Sequence, residues 1–373
     1  MNEDKSSRYH RLKRRATVAS GALSALLLVG LAATGASAAL RNGAMALTGA
    51  PGGALRTIAV YALALAVLQE ALSFPLTWYR GFLLDRRYGL STEPFKAWLA
   101  DHGKACILGL LLAVAGALFV YAALGKWPTW WWLISAAAFM AAVGGIAMAA
   151  PVVLLPLFYR FTPLERESLR ARLLDLSNRA GVPVLGVYEW ALGEKTRRAN
   201  AALVGTGSTR RIIISDTLLT QYSDDEIEVI LAHELAHHVH GDILKGLVVE
   251  FALLLASFGV AALALHAGWE RLGLASPADV AGLPVLMLAG GATMLAATPW
   301  VNALSRLHER DADRFALDLT GQPGAFISAM RRLASQNLAE PHPSNLTLWL
   351  FHTHPPIEQR IAAARAHRHL LSS

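Results

Sequence analysis

The sequence predicts a mainly α-helical membrane protein, a polytopic bundle of about six spans that carries a smaller α+β domain in water. Apolar residues make up 54% of the 373 residues and charged residues only 16%, whereas a soluble domain has about 25% charged residues. The charges are also unevenly placed, because six apolar runs of about 20 residues or more contain few or none. Two polar stretches, residues 160–242 and 305–373, remain to form the aqueous domain.

The six candidate spans follow one another along the chain, and the first of them also fits a second interpretation. They are residues 16–40, 57–79, 105–125, 128–159, 251–269 and 280–305. The first run follows a basic cluster and ends near Ala36-Ser37-Ala38, so it resembles a secretory signal peptide with a cleavage site. Its uncharged stretch is long for a signal peptide, which favours a retained helix.

The basic residues predict how the bundle is oriented. With the N-terminus in the cytoplasm, only four of the 34 Lys and Arg residues lie on the outer side, namely Arg41, Arg56, Lys126 and Arg271. Because basic residues concentrate on the cytoplasmic side of membrane proteins, we expect both termini and the aqueous domain there, in a bacterial cytoplasmic membrane. This topology also explains the net charge of +7. No Arg-rich stretch is interleaved with aromatic residues, so nucleic acid is not an expected partner.

The chain is expected to divide into four parts. Residues 1–159 form a membrane part with four spans, and residues 243–304 form a transmembrane hairpin that separates the aqueous parts 160–242 and 305–373. In the first aqueous part the sequence predicts an amphipathic helix over residues 163–180 and strands over residues 184–188, 201–204 and 211–215. The single cysteine, Cys106, excludes an intrachain disulfide and a Cys-rich zinc site.

The clearest functional motif is His-Glu-x-x-His at residues 233–237, on a helix that a capping box begins at Ser223. His233 and His237 are four residues apart, so both imidazoles leave one helix face and suit one tetrahedral zinc ion. Glu234 leaves the helix about 100° round from His233, beside the open metal position, where it can act as the general base. The motif therefore predicts one Zn²⁺ per chain.

A third zinc ligand is expected on a separate helix. Metzincins would have a histidine at position 243, but this position is Ile243. Glu309 and Asp313, directly after the sixth span, are four residues apart and share a helix face. Taken alone they are typical of a solvated face. Together with the histidines they predict a gluzincin-like domain, in which Glu309 binds zinc and Asp313 orients a ligand histidine through its ring N–H.

Several motifs together resemble the integral-membrane zinc metalloproteases of the type I CAAX prenyl protease family, with HtpX-like proteases as relatives. They occur in order over most of the chain from about residue 75, at residues 85–91, 156–164, 200–201, 210–219, 233–237, 305–313 and 354–360. The resemblance implies that the zinc ligands are His233, His237 and Glu309 and that the catalytic base is Glu234.

The resemblance also implies substrate contacts. Asn200 and Ala201 would lie on an edge strand that holds the substrate backbone by strand addition. His354 and Arg360 would face the scissile region, where either donor can stabilise the oxyanion or bind a carboxylate. Without the resemblance, Pro355-Pro356 would indicate only the start of a C-terminal helix.

Two features depart from this family. Its members have seven spans around a large water-filled chamber, whereas six spans are predicted here. Residues 196–199 read Thr-Arg-Arg-Ala, where the family usually shows small residues and a histidine before the substrate strand. Within the spans, Glu70 and Glu250 are candidates for a functional role, with hydrogen bonding between helices as the alternative.

The sequence therefore predicts a zinc-dependent membrane endopeptidase that hydrolyses peptide bonds of membrane-associated or lipidated C-terminal protein substrates. Within the same class, the alternative is an HtpX-like quality-control protease of misfolded membrane proteins. From another class, the alternative is a non-catalytic zinc-bound membrane scaffold, which would have no need of Glu234. The expected partners are a peptide or protein substrate and the lipid bilayer, and the oligomeric state and the need for prenylation stay open.

Overall fold

The computed structural model describes residues 4–205 and 207–372, and six helices in this part of the chain are long and apolar enough to cross a membrane. The predicted number of spans is therefore confirmed. The N-terminal helices are α1 (Lys5–Ala33), α2 (Ala36–Thr48), α3 (Leu55–Trp78), α4 (Leu84–Arg87), α5 (Phe95–Lys126), α6 (Trp131–Ala149) and α7 (Leu155–Phe158). One π-helical turn joins α3 to α4 and another joins α6 to α7.

The first span differs from its predicted bounds. The sequence predicted one run over residues 16–40, but α1 begins at Lys5 and ends at Ala33, and α2 starts at Ala36. Gly35 lies between them with φ 76°, a left-handed conformation that glycine adopts without a Cβ clash. With 13 residues, α2 is about 20 Å long, which is too short to cross a bilayer.

Polar contacts hold α2 against the turn of the α11–α12 hairpin, whose helices are α11 (Asp242–Gly268) and α12 (Leu283–Thr320). Ser37 Oγ lies 2.6 Å from the Tyr61 hydroxyl and donates to the Ala281 carbonyl at 2.6 Å. The Asp279 carboxylate pairs with Arg41 and accepts the Ala281 N–H at 3.0 Å. These contacts close the end of the bundle that is remote from the aqueous domain.

The aqueous domain contains a four-stranded sheet and seven helices among its described residues. Its elements before the hairpin are β1 (Phe161–Pro163), α8 (Glu167–Arg179), β2 (Val187–Trp190), β3 (Ala201–Val204), β4 (Arg211–Ser215), α9 (Asp216–Gln221) and α10 (Asp224–Val239). After the hairpin come the end of α12, then α13 (Pro323–Gln336), α14 (Asn345–Phe351) and α15 (Ile357–Ser372). The sheet order is β1-β2-β4-β3, with β2 parallel and β3 antiparallel to β4.

The strand predictions are confirmed for β3 and β4, and the region before them differs. β1 pairs with residues 188–190 of β2. The strand predicted over residues 184–188 therefore begins three residues later than expected, at Val187. The same pairing uses residues 161–163, and α8 therefore begins after the predicted start of its helix. The sheet packs its buried face, including Ile212 and Ile214, against Leu169 and Leu173 of α8.

The α11–α12 hairpin leads the chain from the aqueous domain into the membrane and back to the aqueous domain. Gly241, with φ 68°, turns the chain between α10 and α11. α12 then runs without a break for 38 residues, about 57 Å, from the far end of the bundle into the aqueous domain. This helix carries Glu309 and Asp313 to a position beside α10.

Candidate metal centre

α10 begins at the predicted capping box. The Glu226 N–H donates to Ser223 Oγ at 3.3 Å, and the Ser223 N–H donates to Glu226 Oε2 at 2.9 Å. Two of the free N–H groups at the helix start are thereby satisfied. Most of the helix is buried, including His233, so the motif lies at the centre of the aqueous domain.

Glu309 on α12 lies between the two motif histidines of α10. Glu309 Oε2 is 3.2 Å from His233 Nε2, and Glu309 Oε1 is 3.5 Å from His237 Nε2. One nitrogen or oxygen atom from each of the three side chains lies within 4.8 Å of the others. The structure therefore brings Glu309 to the two histidines, more than 70 residues earlier in the chain, and these three are the residues that the sequence predicted as ligands.

The chemistry of this cluster fits a divalent metal ion. Two imidazole nitrogens and a carboxylate oxygen are a common donor set for such ions. Glu309 Oε2 is buried and makes no well-aligned hydrogen bond among the described residues. Nevertheless His233 Nε2 and His354 Nδ1 lie 3.2 Å and 2.7 Å from it. Nitrogen and oxygen atoms thus converge on one point without well-aligned hydrogen bonds between them. A cation at this point would bind to these atoms.

Asp313 and Arg360 support His233 on the side away from Glu309. Asp313 Oδ1 lies 2.9 Å from His233 Nδ1. Arg360 on α15 donates to both oxygens of Asp313, at 2.8 Å from Nε and 2.5 Å from Nη2. Such an outer hydrogen bond fixes the tautomer and the ring orientation of a ligand histidine. The Arg360 side chain is 10% exposed, so its guanidinium is directed to Asp313 within the protein.

Asp242 supports His237 in the same way, a residue that the sequence analysis missed. Asp242 Oδ2 lies 2.9 Å from His237 Nδ1, and Lys245 Nζ donates to Asp242 Oδ1 at 2.9 Å. The turn at Gly241 brings this carboxylate back beside the end of α10. An acidic residue directly after the glycine that ends the motif helix is the signal that would have found it.

Glu234 lies in a cleft of about 450 Å³ that His237 and Glu309 also line. Burial raises the pKa of the Glu234 carboxyl, although the nearby His233 and His237 act in the opposite direction. A raised pKa suits a group that must take and return a proton near neutral pH. His354 is more open, with 61% of its side chain exposed, and it reaches the same cluster from the segment between α14 and α15.

Asn200 and Ala201 lie at the start of β3, an edge strand of the sheet. The Asn200 side chain is exposed, and its backbone pairs with Ser215, since the Ser215 N–H donates to the Asn200 carbonyl at 2.9 Å. At the other end of β3, His238 Nε2 lies 3.2 Å from the Leu203 carbonyl. β3 therefore lies beside α10, with its outer edge next to the cleft.

A His-Glu-x-x-His helix that faces a glutamate from a second helix, within a bundle of apolar spans, defines a membrane metallopeptidase. The family comparison agrees. Residues 163–368 match the profile of peptidase family M48, and residues 2–160 match a profile described as CAAX prenyl protease N-terminal, five membrane helices. The chain belongs to peptidase family M48, and it is a membrane metalloendopeptidase. Within residues 2–160, the described part of the chain forms four helices long enough to span a membrane and the short α2.

Individual relatives support the same assignment. The chain is 29% identical to "Uncharacterized metalloprotease YhfN" of Bacillus subtilis over 82% of its length and 72% of the relative. It is 26% identical to "Probable CAAX prenyl protease 1" of Schizosaccharomyces pombe over 82% of its length and 65% of the relative. The crystal structure of S. mikatae Ste24p superposes with a TM-score of 0.82 at 22% identity, over 96% of this chain and 87% of that one. The fold is therefore the same.

Replacing Asp242 with Asn should weaken metal binding by about 10- to 100-fold, because the substitution removes the charged acceptor that orients His237. A competition titration against a metal chelator measures this loss. Asp311→Asn is the matched control, since Asp311 is exposed on α12 and should leave the affinity unchanged. An unaltered affinity in Asp242→Asn would show that His237 needs no carboxylate partner.

Proposed function

We propose that the chain is a zinc endopeptidase in which His233, His237 and Glu309 hold the metal and Glu234 is the general base. The convergence of Glu309 on the two histidines, from the second helix of the membrane hairpin, is the observation that supports this most strongly. When bound, zinc would polarise the peptide carbonyl and lower the pKa of water at the site.

The chain's own side chains supply the proton transfers. Glu234 accepts a proton from the attacking water and returns it to the leaving amine, and its burial favours holding that proton between the two steps. Of the two donors predicted for the oxyanion, His354 is the more accessible. Arg360 is engaged by Asp313 and acts as a positioning residue for His233.

The substrate backbone is proposed to extend β3. Because β3 ends the sheet, a peptide can add to its outer edge and reach the cleft with main-chain hydrogen bonds. Asn200 and Ala201 would bind the peptide at one end of this strand. The other end, at Leu203, lines the cleft that contains Glu234.

The substrates are proposed to be membrane-associated or lipidated proteins cut near their C-termini, on the cytoplasmic side. The cleft supports this, since beyond Glu234 it continues between α11 and α12 along apolar residues such as Val249, Leu253 and Val301. Such walls suit a substrate that reaches the site from the bilayer. In this topology residues 160–242 and 305–373 make one catalytic domain, and residues 243–304 anchor it.

A second candidate is a quality-control protease for misfolded membrane proteins. The chain is 32% identical to "Protease HtpX homolog" of Acidiphilium cryptum over 69% of its length and 94% of that relative. Peptides that end in the same tetrapeptide, with and without a prenyl group on its cysteine, separate the two functions. A CAAX-type enzyme should prefer the prenylated peptide by about tenfold or more in kcat/KM, and a quality-control protease should not discriminate.

Replacing Glu234 with Gln should lower kcat by about 10²- to 10⁴-fold, because the amide cannot act as a base. The bound zinc should remain, since the ligands are unchanged. Peptide cleavage and zinc content of the purified protein measure the two quantities. Glu194→Gln is the control, because Glu194 is exposed away from the cleft. Full activity in Glu234→Gln would contradict the proposed mechanism.

Zinc affinity should fall as the pH is lowered. Burial alone would lower the pKa of His233, but the carboxylates of Asp313 and Glu309 beside its two ring nitrogens raise it to about 9 in the metal-free protein. Below this pH both ring nitrogens carry a proton, and zinc must displace one of them to bind. The zinc affinity should therefore drop by about tenfold for each pH unit from about 8 to 6. Zinc titration in buffers across this range measures the slope, and a flat profile would contradict the interpretation.

A further inference from the structure

Four carboxylates line the cleft, and one of them, Glu250, has no part in the proposed metal site or in catalysis. Gly246, Val249, Glu250 and Leu253 all line the cleft. Their spacing places them on one face of α11, and Val301 and Leu304 of α12 form the facing wall. The polar lining residues Asp242, Ser305 and His308 lie toward the metal centre. Glu250 is therefore an acidic group among apolar neighbours, in the part of the cleft away from that centre.

No ion pair or hydrogen bond reaches the Glu250 side chain within the described parts of the chain. The nearest cation along α11, Lys245, pairs with Asp242 at 2.9 Å. His308 of α12, which also lines the cleft, lies 3.9 Å from the same carboxylate. A carboxylate next to apolar side chains at the membrane edge is costly unless a partner compensates its charge. Glu250 is half-buried, so its carboxylate is open to a positively charged group that enters the cleft.

We propose that Glu250 is a specificity residue that binds a lysine or arginine side chain of the substrate. This inference depends on the proposed peptidase function. Lys and Arg side chains have an apolar stem and a charged head, and the cleft offers the matching surfaces, with Val249 and Leu253 for the stem and Glu250 for the head. Membrane-associated proteins carry such residues next to the bilayer on the cytoplasmic side.

The distance along α11 predicts which substrate residue is recognised. Glu250 is eight residues beyond Asp242, or about 12 Å along the helix axis, and Asp242 contacts the ligand His237. An extended peptide advances about 3.3 Å per residue. The recognised side chain is therefore three or four residues from the scissile bond, in the part of the substrate that enters the cleft.

The test uses full-length zinc-loaded protein in detergent and a peptide set with Lys, Arg, Gln, Leu or Glu at each position around the cleavage site. Wild type should prefer Lys or Arg over Gln by about tenfold in kcat/KM at one position three or four residues from the bond. Glu250→Gln should remove this preference, so that the Lys and Gln peptides are cleaved with about equal kcat/KM. Glu250→Lys should reverse it toward Glu. Glu270→Gln, an exposed carboxylate beyond the far end of α11, is the matched control.

Binding to the Glu234→Gln protein separates this inference from the proposed function. Fluorescence polarisation of labelled peptides on that variant, with and without Glu250→Gln, reads recognition without cleavage. A loss of about tenfold in affinity for the Lys peptide alone supports the subsite, even if wild type cuts no peptide and the proposed activity fails. Equal affinity of the Lys and Gln peptides, or the same preference in both variants, overturns it.

Discussion

The packing of α10 against α12 is the contact on which the arrangement of the aqueous domain depends, because it buries several charged groups that satisfy one another. Glu309 lies between His233 and His237, and Asp313 lies between His233 and Arg360. Unpaired charges at these depths would be costly. The helix crossing, the position of α15 and the orientation of both rings are therefore fixed by the same set of contacts.

The elements proposed to bind substrate are arranged around this contact. His238, next to His237 on α10, reaches the Leu203 carbonyl and positions the edge strand beside the cleft. On the other side, Arg306 of α12 donates to the carbonyls of Leu348 and His352 at 2.9 Å and 2.7 Å. It thereby anchors the end of α14, two residues before His354. One helix pair thus determines where the strand, the cleft and the C-terminal histidine lie.

Features that depend on local periodicity could be predicted from the sequence. The spacing of residues 233–237 and of Glu309 with Asp313 follows from one helical turn. The short apolar runs within residues 201–204 and 211–215, separated by a glycine-containing turn, predict their strands. Features that depend on tertiary contacts or on left-handed backbone could not. Asp242 contacts His237 only because Gly241 reverses the chain. β1 forms only because β2 pairs with it. The hydropathy pattern does not reveal the break between α1 and α2 at Gly35.

The interruption of the aqueous domain by the hairpin has a consequence for biosynthesis. During translation the ribosome completes α10, with its two histidines, before it makes Glu309, and between them lies a segment that must enter the bilayer. α12 must cross the membrane before its final turns can reach α10. The three-residue cluster can therefore form only after the hairpin between its parts has entered the bilayer, so assembly of the site depends on membrane insertion.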